Sequence, residues 1–146
     1  MYTRILVPLE NTRTDEAIVA HVRALAKHCG ASIVLMHVAD GFAARNMSAL
    51  ELRESEEIRK DRAYLDDVAA KLSADGFAVE AVLASGDPAN EITAAALREG
   101  CDLIAMGTHG HRGMKDLIYG SVANEVRHQS FVPVLLVRER PSGGTG

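Results

Sequence analysis

The segment with the clearest potential for chemistry is glycine-rich and runs from Gly107 to Ser121. It reads Gly107-Thr108-His109-Gly110, then nine residues, then Gly120-Ser121-Val122. Glycines let main-chain amides surround phosphate oxygens, because no side chain blocks the approach. The segment follows a predicted strand and precedes a helix predicted from about Ser121 to Gln129. The free amide hydrogens and the positive end of the helix dipole would then also point at a bound anion. It therefore predicts a phosphate site; glycines that merely permit tight turns are the alternative.

Side chains in the same segment leave several roles open. The Ser121 hydroxyl could donate to a phosphate oxygen or cap the helix. His109 could contact a nucleotide, support the loop or act as an acid or base, although the sequence shows no partner for catalysis. His111, Arg112 and Lys115 could lie over phosphates or on a solvated, mobile surface. The sequence contains no Gly-Lys-Ser or Gly-Lys-Thr, so this is no Walker P-loop and we expect it to bind more than it catalyses.

Strands and helices that would position this segment alternate along the chain. Apolar runs predict strands at residues 2–8, 32–38, 79–83, 103–106 and 132–137. Helical spacing separates them, with a capping box at Thr12 and Asp15 and a helix start at Asp87-Pro88. Such alternation predicts an open α/β sheet of parallel strands joined by crossovers. Glu80 interrupts the third strand, which we therefore expect at an edge of the sheet.

Composition limits the class of protein. The chain has 146 residues, 47% of them hydrophobic, and a formal net charge of -4. This length fits one domain, predicted at residues 1–138 and followed by a disordered tail at 139–146. Without a dense Lys/Arg run we expect no nucleic-acid partner. Without a secretory signal or an apolar span we expect a cytoplasmic protein and no membrane partner.

Other residues that could carry chemistry have plainer interpretations. His37 lies within an apolar strand, where a histidine satisfied by hydrogen bonds is expected. Cys29 and Cys101 have no metal-ligand spacing and are expected to be inert thiols, with a redox role as the alternative. The charged stretch 51–67 mixes both signs at helical spacing and predicts a solvated helix surface.

The glycine-rich segment, together with Ile5-Leu6-Val7-Pro8 near the start and Pro133-Val134-Leu135-Leu136-Val137 near the end, resembles the universal stress protein family. The resemblance covers residues 1 to about 138. It implies a five-stranded parallel sheet of order 3-2-1-4-5 with four helices on both faces, a Rossmann-like fold of the adenine nucleotide alpha hydrolase type. It also implies a homodimer formed through the last strand, Val132–Val137.

The family's ATP-binding members imply a site at the point where the winding of the sheet reverses. Carried over to this chain, the nucleotide-binding residues are Pro8, Leu9, Glu10, Val38, Met106, Gly107, His109, Gly110, Gly120, Ser121 and Val122. The ligand would be ATP, ADP or AMP, with Mg²⁺ held by the phosphates and no metal site in the protein. Relatives usually have Asp where this chain has Glu10, which moves the carboxylate outward by about 1.5 Å, a distance that matters for a hydrogen bond.

Three functions follow from these residues. The first is a nucleotide-dependent regulatory module of the stress response, without catalytic residues and not an enzyme. The second is a weak ATP hydrolase or phosphotransferase, which would need a positioned base and charge stabilisation. The third is a dimerisation or interaction module without a ligand, because the last apolar strand would invite pairing if it lay at an edge.

Overall fold

The computed structural model describes residues 1–40, 48–108 and 114–139, and for residues 40, 48–55 and 114–120 it describes the main chain alone. Strands and helices alternate throughout. In chain order they are β1 (Arg4–Pro8), α1 (Thr14–Cys29), β2 (Ser32–Asp40), α2 (Ser48–Ala74), β3 (Val79–Gly86), α3 (Pro88–Arg98), β4 (Leu103–Thr108), α4 (Met114–Gln129) and β5 (Val134–Arg138).

All five strands form one parallel sheet in the order β3-β2-β1-β4-β5. At its centre, Leu6 of β1 lies opposite Val34 of β2 and Ile104 of β4. The predicted order 3-2-1-4-5 and the predicted edge position of the third strand are confirmed. Strands β2, β3 and β4 extend two or three residues further than predicted at their carboxyl ends, because parallel pairing with neighbours continues there.

Helices cover both faces of the sheet, as predicted. Successive side chains of a strand point to opposite faces, so Ile5 packs with Ile18 of α1 and Leu65 of α2, whereas Leu6 packs with Val126 of α4 on the other face. Helix α3 packs on the same face as Leu6 and α4. The buried residues that α3 and α4 contribute there are Ala89, Ile92, Ala95, Ala96, Ala123 and Val126.

The capping residues predicted for α1 and α3 have different outcomes. Asp87 caps α3 by accepting a hydrogen bond from the Asn90 amide at 3.1 Å, as predicted. The capping box at Thr12 and Asp15 does not form, because the N-cap of α1 is Arg13 and makes no side-chain cap bond. The Asp15 carboxylate instead reaches back to the turn before the helix, where it accepts hydrogen bonds from the amides of Glu10 and Asn11.

The start of the fourth helix also differs from its prediction. α4 begins at Met114 rather than near Ser121, so Gly120 and Ser121 lie inside the helix, where amide hydrogens bond to carbonyls one turn back. Residues 114–119 contain no proline or glycine, and a single glycine inside a helix costs only about 1 kcal/mol. The amides of Gly120 and Ser121 are therefore not free helix-start donors.

Beyond β5, the amide of Glu139 still donates to the Thr108 carbonyl at 2.9 Å. The rest of the predicted tail, residues 140–146, lies outside the described residues. Among the helices of the described ranges, none combines the length and the apolar character that a membrane span requires.

Candidate functional site

A cleft of about 700 Å³ opens at the carboxyl ends of β1, β2 and β4. The winding of the sheet reverses between β1 and β4: the chain leaves β1 towards one face and β4 towards the other. The two departing connections diverge and leave a crevice, which is where open α/β sheets bind ligands. The start of α3 and the middle of α4 form the remaining wall.

Eight of the eleven predicted site residues line this one cleft. They are Pro8, Leu9, Glu10, Val38, Met106, Gly107, Ser121 and Val122. Gly120 lies in α4 next to Ser121. His109 and Gly110 lie outside the described residues, as do His111 and Arg112. The structure thus brings together residues from four separate parts of the chain, although their contact with a nucleotide stays a prediction.

Eight further residues line the cleft and were not predicted there. They are Thr14, Asp15, His37, Asp87, Pro88, Ala89, Ile92 and Glu125. The signal for three of them was present, since Asp87-Pro88 was interpreted as a helix start and Asp15 as a cap. Each helix start follows a strand that ends at the same edge of the sheet, so both could have been placed at the cleft.

Gly107 lies in close contact with the first turn of α1. A Cβ atom at this position would lie 3.0 Å from the Thr14 Cγ2 methyl and 3.3 Å from the Thr14 carbonyl oxygen. Thr14 is buried, with 1% of its surface exposed. The end of β4 therefore approaches the first turn of α1 at a distance that only glycine permits without displacing a neighbour.

The turn after β1 is held by main-chain and side-chain bonds together. The Leu9 amide donates to the Met36 carbonyl at 2.7 Å, and the His37 ring nitrogen Nδ1 lies 2.8 Å from the Leu9 carbonyl. Asn11 adopts a φ of 63°, a left-handed conformation that few residues other than glycine adopt. The turn that carries Leu9 and Glu10 into the cleft is thus fixed in an uncommon shape.

Asp15 is the buried acid beneath this turn, with 3% of its surface exposed. Its carboxylate accepts hydrogen bonds from the amides of Glu10 at 2.9 Å and Asn11 at 2.8 Å, and from the Tyr64 hydroxyl at 2.5 Å. Desolvation and the neighbouring Asp15 carboxylate raise the pKa of Tyr64 above its ordinary value. Tyr64 is therefore a hydrogen-bond donor throughout the physiological pH range.

A second polar contact joins α2 to the same end of the sheet. The Asp61 carboxylate lies 3.1 Å from His37 Nε2 and accepts from the Asn11 side chain at 3.3 Å. Both ring nitrogens of His37 thus have partners, and the expectation of a histidine satisfied by hydrogen bonds is confirmed.

The charge of the cleft is acidic where the structure describes it. Its lining includes Glu10, Asp15, Asp87 and Glu125, and none of its described lining residues is lysine or arginine. The cleft also has broad apolar walls, formed by Val38, Ile92 and Met106 among others. It can therefore enclose a flat, largely apolar group, and a polyanion there would need cations from another source.

Metal-ligand groups and reactive thiols are two further features that could carry chemistry. No group of three or more His, Cys, Asp or Glu side chains suited to a metal ion occurs among the described residues. Cys101 is buried, with 5% of its surface exposed, and desolvation raises the pKa of its thiol to about 11. It is thus protonated and unreactive at neutral pH, as predicted from its position before a strand.

The fold and the cleft define a doubly wound, Rossmann-like α/β protein with its crevice at the switch point. A model of the Universal stress protein family matches residues 1–138, and the chain belongs to that family. This family membership confirms the resemblance given by the glycine-rich segment and the first and last strands.

Individual relatives match over nearly the whole chain. Universal stress protein MJ0577 of Methanocaldococcus jannaschii is 30% identical over 97% of this chain and 98% of its own. Its solved structure superimposes with a TM-score of 0.83 at 29% identity, covering 97% of this chain and 99% of that one. Universal stress protein YxiE of Bacillus subtilis is 28% identical over 94% of this chain and all of its own length.

More distant structures share the fold. A universal stress protein solved in complex with cAMP has a TM-score of 0.70 at 19% identity, covering 94% of this chain and 97% of that one. The universal stress protein of Archaeoglobus fulgidus in complex with dAMP also has a TM-score of 0.70 at 19% identity, covering 93% and 98%.

Proposed function

We propose that this protein binds an adenine nucleotide, ATP or its products ADP and AMP, in the cleft and acts as a nucleotide-dependent regulatory module. The observation that carries the proposal is the convergence of eight predicted residues, from four separate parts of the chain, on one cleft of about 700 Å³. This volume is in the range that small-molecule ligands occupy. Family membership and the cAMP and dAMP complexes of two distant relatives support the ligand class.

The two ends of the cleft suit the two ends of a nucleotide. The base would lie against apolar residues such as Val38, near the carboxyl end of β2, and Ile92, in the first turns of α3. The phosphates would extend towards Gly107, where the glycine-rich segment begins, and towards Ser121 inside α4. His109, Gly110 and Gly120 would complete that end, and the Ser121 hydroxyl would donate to a phosphate oxygen.

Phosphate charge needs compensation in such an acidic cleft. Magnesium held by the phosphates would supply it without a protein cage, as this ion usually does. Arg112, between β4 and α4 in the sequence, and Lys115, at the start of α4, would add positive charge. With Glu10, Asp87 and Glu125 on the described lining, we expect nucleotide affinity to rise with Mg²⁺ concentration.

We further propose that binding, rather than hydrolysis, is the activity. Phosphoryl transfer requires a group that orients the attacking nucleophile and a strong positive charge at the transferred phosphate. Two of the four acids on the described lining already have other roles: Asp15 accepts three hydrogen bonds and Asp87 caps α3. ATP turnover above background that is lost in His109→Ala would favour the second candidate function, a weak hydrolase.

A pair of α4 variants tests nucleotide binding. Ser121→Glu places a carboxylate at the phosphate end, whereas Asn124→Glu adds the same charge three residues further along the helix, where the residue is exposed and does not line the cleft. Saturating Mg-ATP should raise the melting temperature of the wild type and of Asn124→Glu by several degrees, since ligand at about 100 times Kd adds about 2.7 kcal/mol. Ser121→Glu should lose most of that rise. A wild type that does not respond to millimolar ATP, ADP or AMP contradicts the proposal.

We also propose a homodimer formed through β5. This strand is at the edge of the sheet, and Leu136 on it is 43% exposed. An apolar edge strand invites pairing with a second copy. Leu136→Lys should shift the protein to monomer in light scattering at micromolar concentration, while Ile58→Lys, at a similarly exposed site on α2, should not. A wild type that is monomeric under these conditions contradicts the proposal.

A further inference from the structure

We propose that Asp15 and Tyr64 are positioning residues for the nucleoside end of the cleft, so that α2, through a residue that does not line the cleft, sets how tightly the nucleoside is held. The inference rests on the proposed function and adds to it a specific means by which affinity is controlled. Three features of the structure support it: the hydrogen bonds of Asp15, the left-handed backbone of Asn11 and the packing of α2 against the core.

The amides of two consecutive residues, Glu10 and Asn11, both point at the Asp15 carboxylate. That arrangement fixes the turn in which Asn11 has a φ of 63°. Residues in left-handed backbone conformations persist when surrounding contacts over-determine them. Leu9 and Glu10 immediately precede Asn11 and line the cleft. The Leu9 amide bonds to Met36 of β2, the strand that also carries Val38 of the proposed base wall. The shape of this wall of the cleft thus depends on where the Asp15 carboxylate is held.

Tyr64 holds that carboxylate from outside the cleft. Its hydroxyl donates to Oδ2, the same oxygen that accepts from the Asn11 amide. Without this third donor, the buried carboxylate, 3% exposed, would lose one of its three charge-assisted hydrogen bonds and would gain from moving towards water. A shift of the carboxylate would move the two amides, and with them the wall formed by Leu9 and Glu10.

The packing of α2 connects the Tyr64 contact to the core of the protein. Leu65 and Leu72 anchor the second half of the helix in the core, whereas residues 56–60 are exposed. Asp61 and Tyr64, one helical turn apart, provide its polar contacts to the turn after β1, because Asp61 also accepts from the Asn11 side chain. The position of the middle of α2 and the position of the turn are therefore linked.

Tyr64→Phe removes only the hydroxyl and keeps the ring, so the fold should survive. The matched control is Tyr2→Phe, since Tyr2 also packs partly buried against the core but precedes β1, at the opposite end of the strand from the cleft. In Tyr64→Phe we expect the Kd for AMP to rise about tenfold, the loss expected for one hydrogen bond to a charged group. The Kd for inorganic tripolyphosphate, which contacts the other end, should stay within about twofold of wild type.

Amide hydrogen exchange without ligand supplies the second measurement. Exchange at Glu10 and Asn11 should accelerate about tenfold in Tyr64→Phe. Exchange at Leu9 should not change, because that amide donates to the main-chain carbonyl of Met36. Tyr2→Phe should leave all three amides as in the wild type.

The outcomes separate this inference from the proposed function. A wild type that binds AMP, with the same Kd in Tyr64→Phe, overturns the positioning role alone. An equal loss of AMP and tripolyphosphate affinity would show general loosening and would also overturn it, as would unchanged exchange at Glu10 and Asn11. A wild type that binds none of these ligands overturns the proposed function, and the positioning role with it.

Discussion

Gly107 at the end of β4 and Thr14 at the start of α1 are in such close contact that a Cβ atom on the glycine would lie 3.0 Å from the threonine methyl. The glycine that most clearly marked a phosphate site in the sequence thus also has a packing role. Both residues line the cleft, so the first helix and the fourth strand meet at the floor of the proposed site.

Gly107→Ala should destabilise the protein by about 1–2 kcal/mol, because an added methyl in a filled interior forces its neighbours to move. The measurement is the free energy of unfolding in urea. Thr14→Ser removes the opposing methyl and keeps the hydroxyl, which bonds to Glu139, so it should recover part of this loss in the double variant. Strictly additive effects of the two substitutions would contradict the contact.

Asp87→Ala should cost about 1 kcal/mol of stability, since the Asn90 amide loses its partner at the start of α3. Asp87→Asn keeps an oxygen acceptor at the same position and should retain most of the stability. Thermal or urea unfolding of the two variants checks this. If Asp87→Asn were as unstable as Asp87→Ala, the carboxylate charge rather than the cap would be responsible.

The Tyr64 hydroxyl should lose its proton at a higher pH than that of a free tyrosine. Desolvation and the Asp15 carboxylate raise its pKa in the folded state above the ordinary value of 10.0. A raised pKa of the folded state contributes stability that is complete below that ordinary value and is lost as pH rises through the folded value. Wild-type stability should therefore fall more steeply than that of Tyr64→Phe above about pH 10. Parallel slopes for the two proteins over this range, measured by urea unfolding, would contradict the Asp15 contact.

Much of the architecture was visible in the sequence because it depends on local patterns. Apolar runs alternating with helical spacing specify parallel strands and crossovers, and Asp87-Pro88 marks a helix start through short-range chemistry. The resemblance supplied the strand order, and with it the meeting of the turn at Pro8 with the segment at Gly107. These features are confirmed by the sheet and by the cleft.

The errors have physical causes that sequence spacing does not reveal. Asp15 has two possible sets of donors, the helix start and the preceding turn, and only the three-dimensional shape of the turn selects the second. Gly120 looked like a helix boundary, yet the helix continues through it. The bond between Asp15 and Tyr64 joins residues 49 positions apart, and no local pattern predicts it.

Amide chemical-shift mapping during titration with Mg-ATP would show whether the nucleotide binds in the cleft. We expect the largest changes at Leu9, Glu10, Val38, Gly107 and Val122, which surround the cleft, and none at Ser32, Gly76 and Phe77, which line a separate hollow. We expect these changes to saturate with one nucleotide bound per chain. No change at millimolar nucleotide, or changes confined to residues away from the cleft, would contradict it.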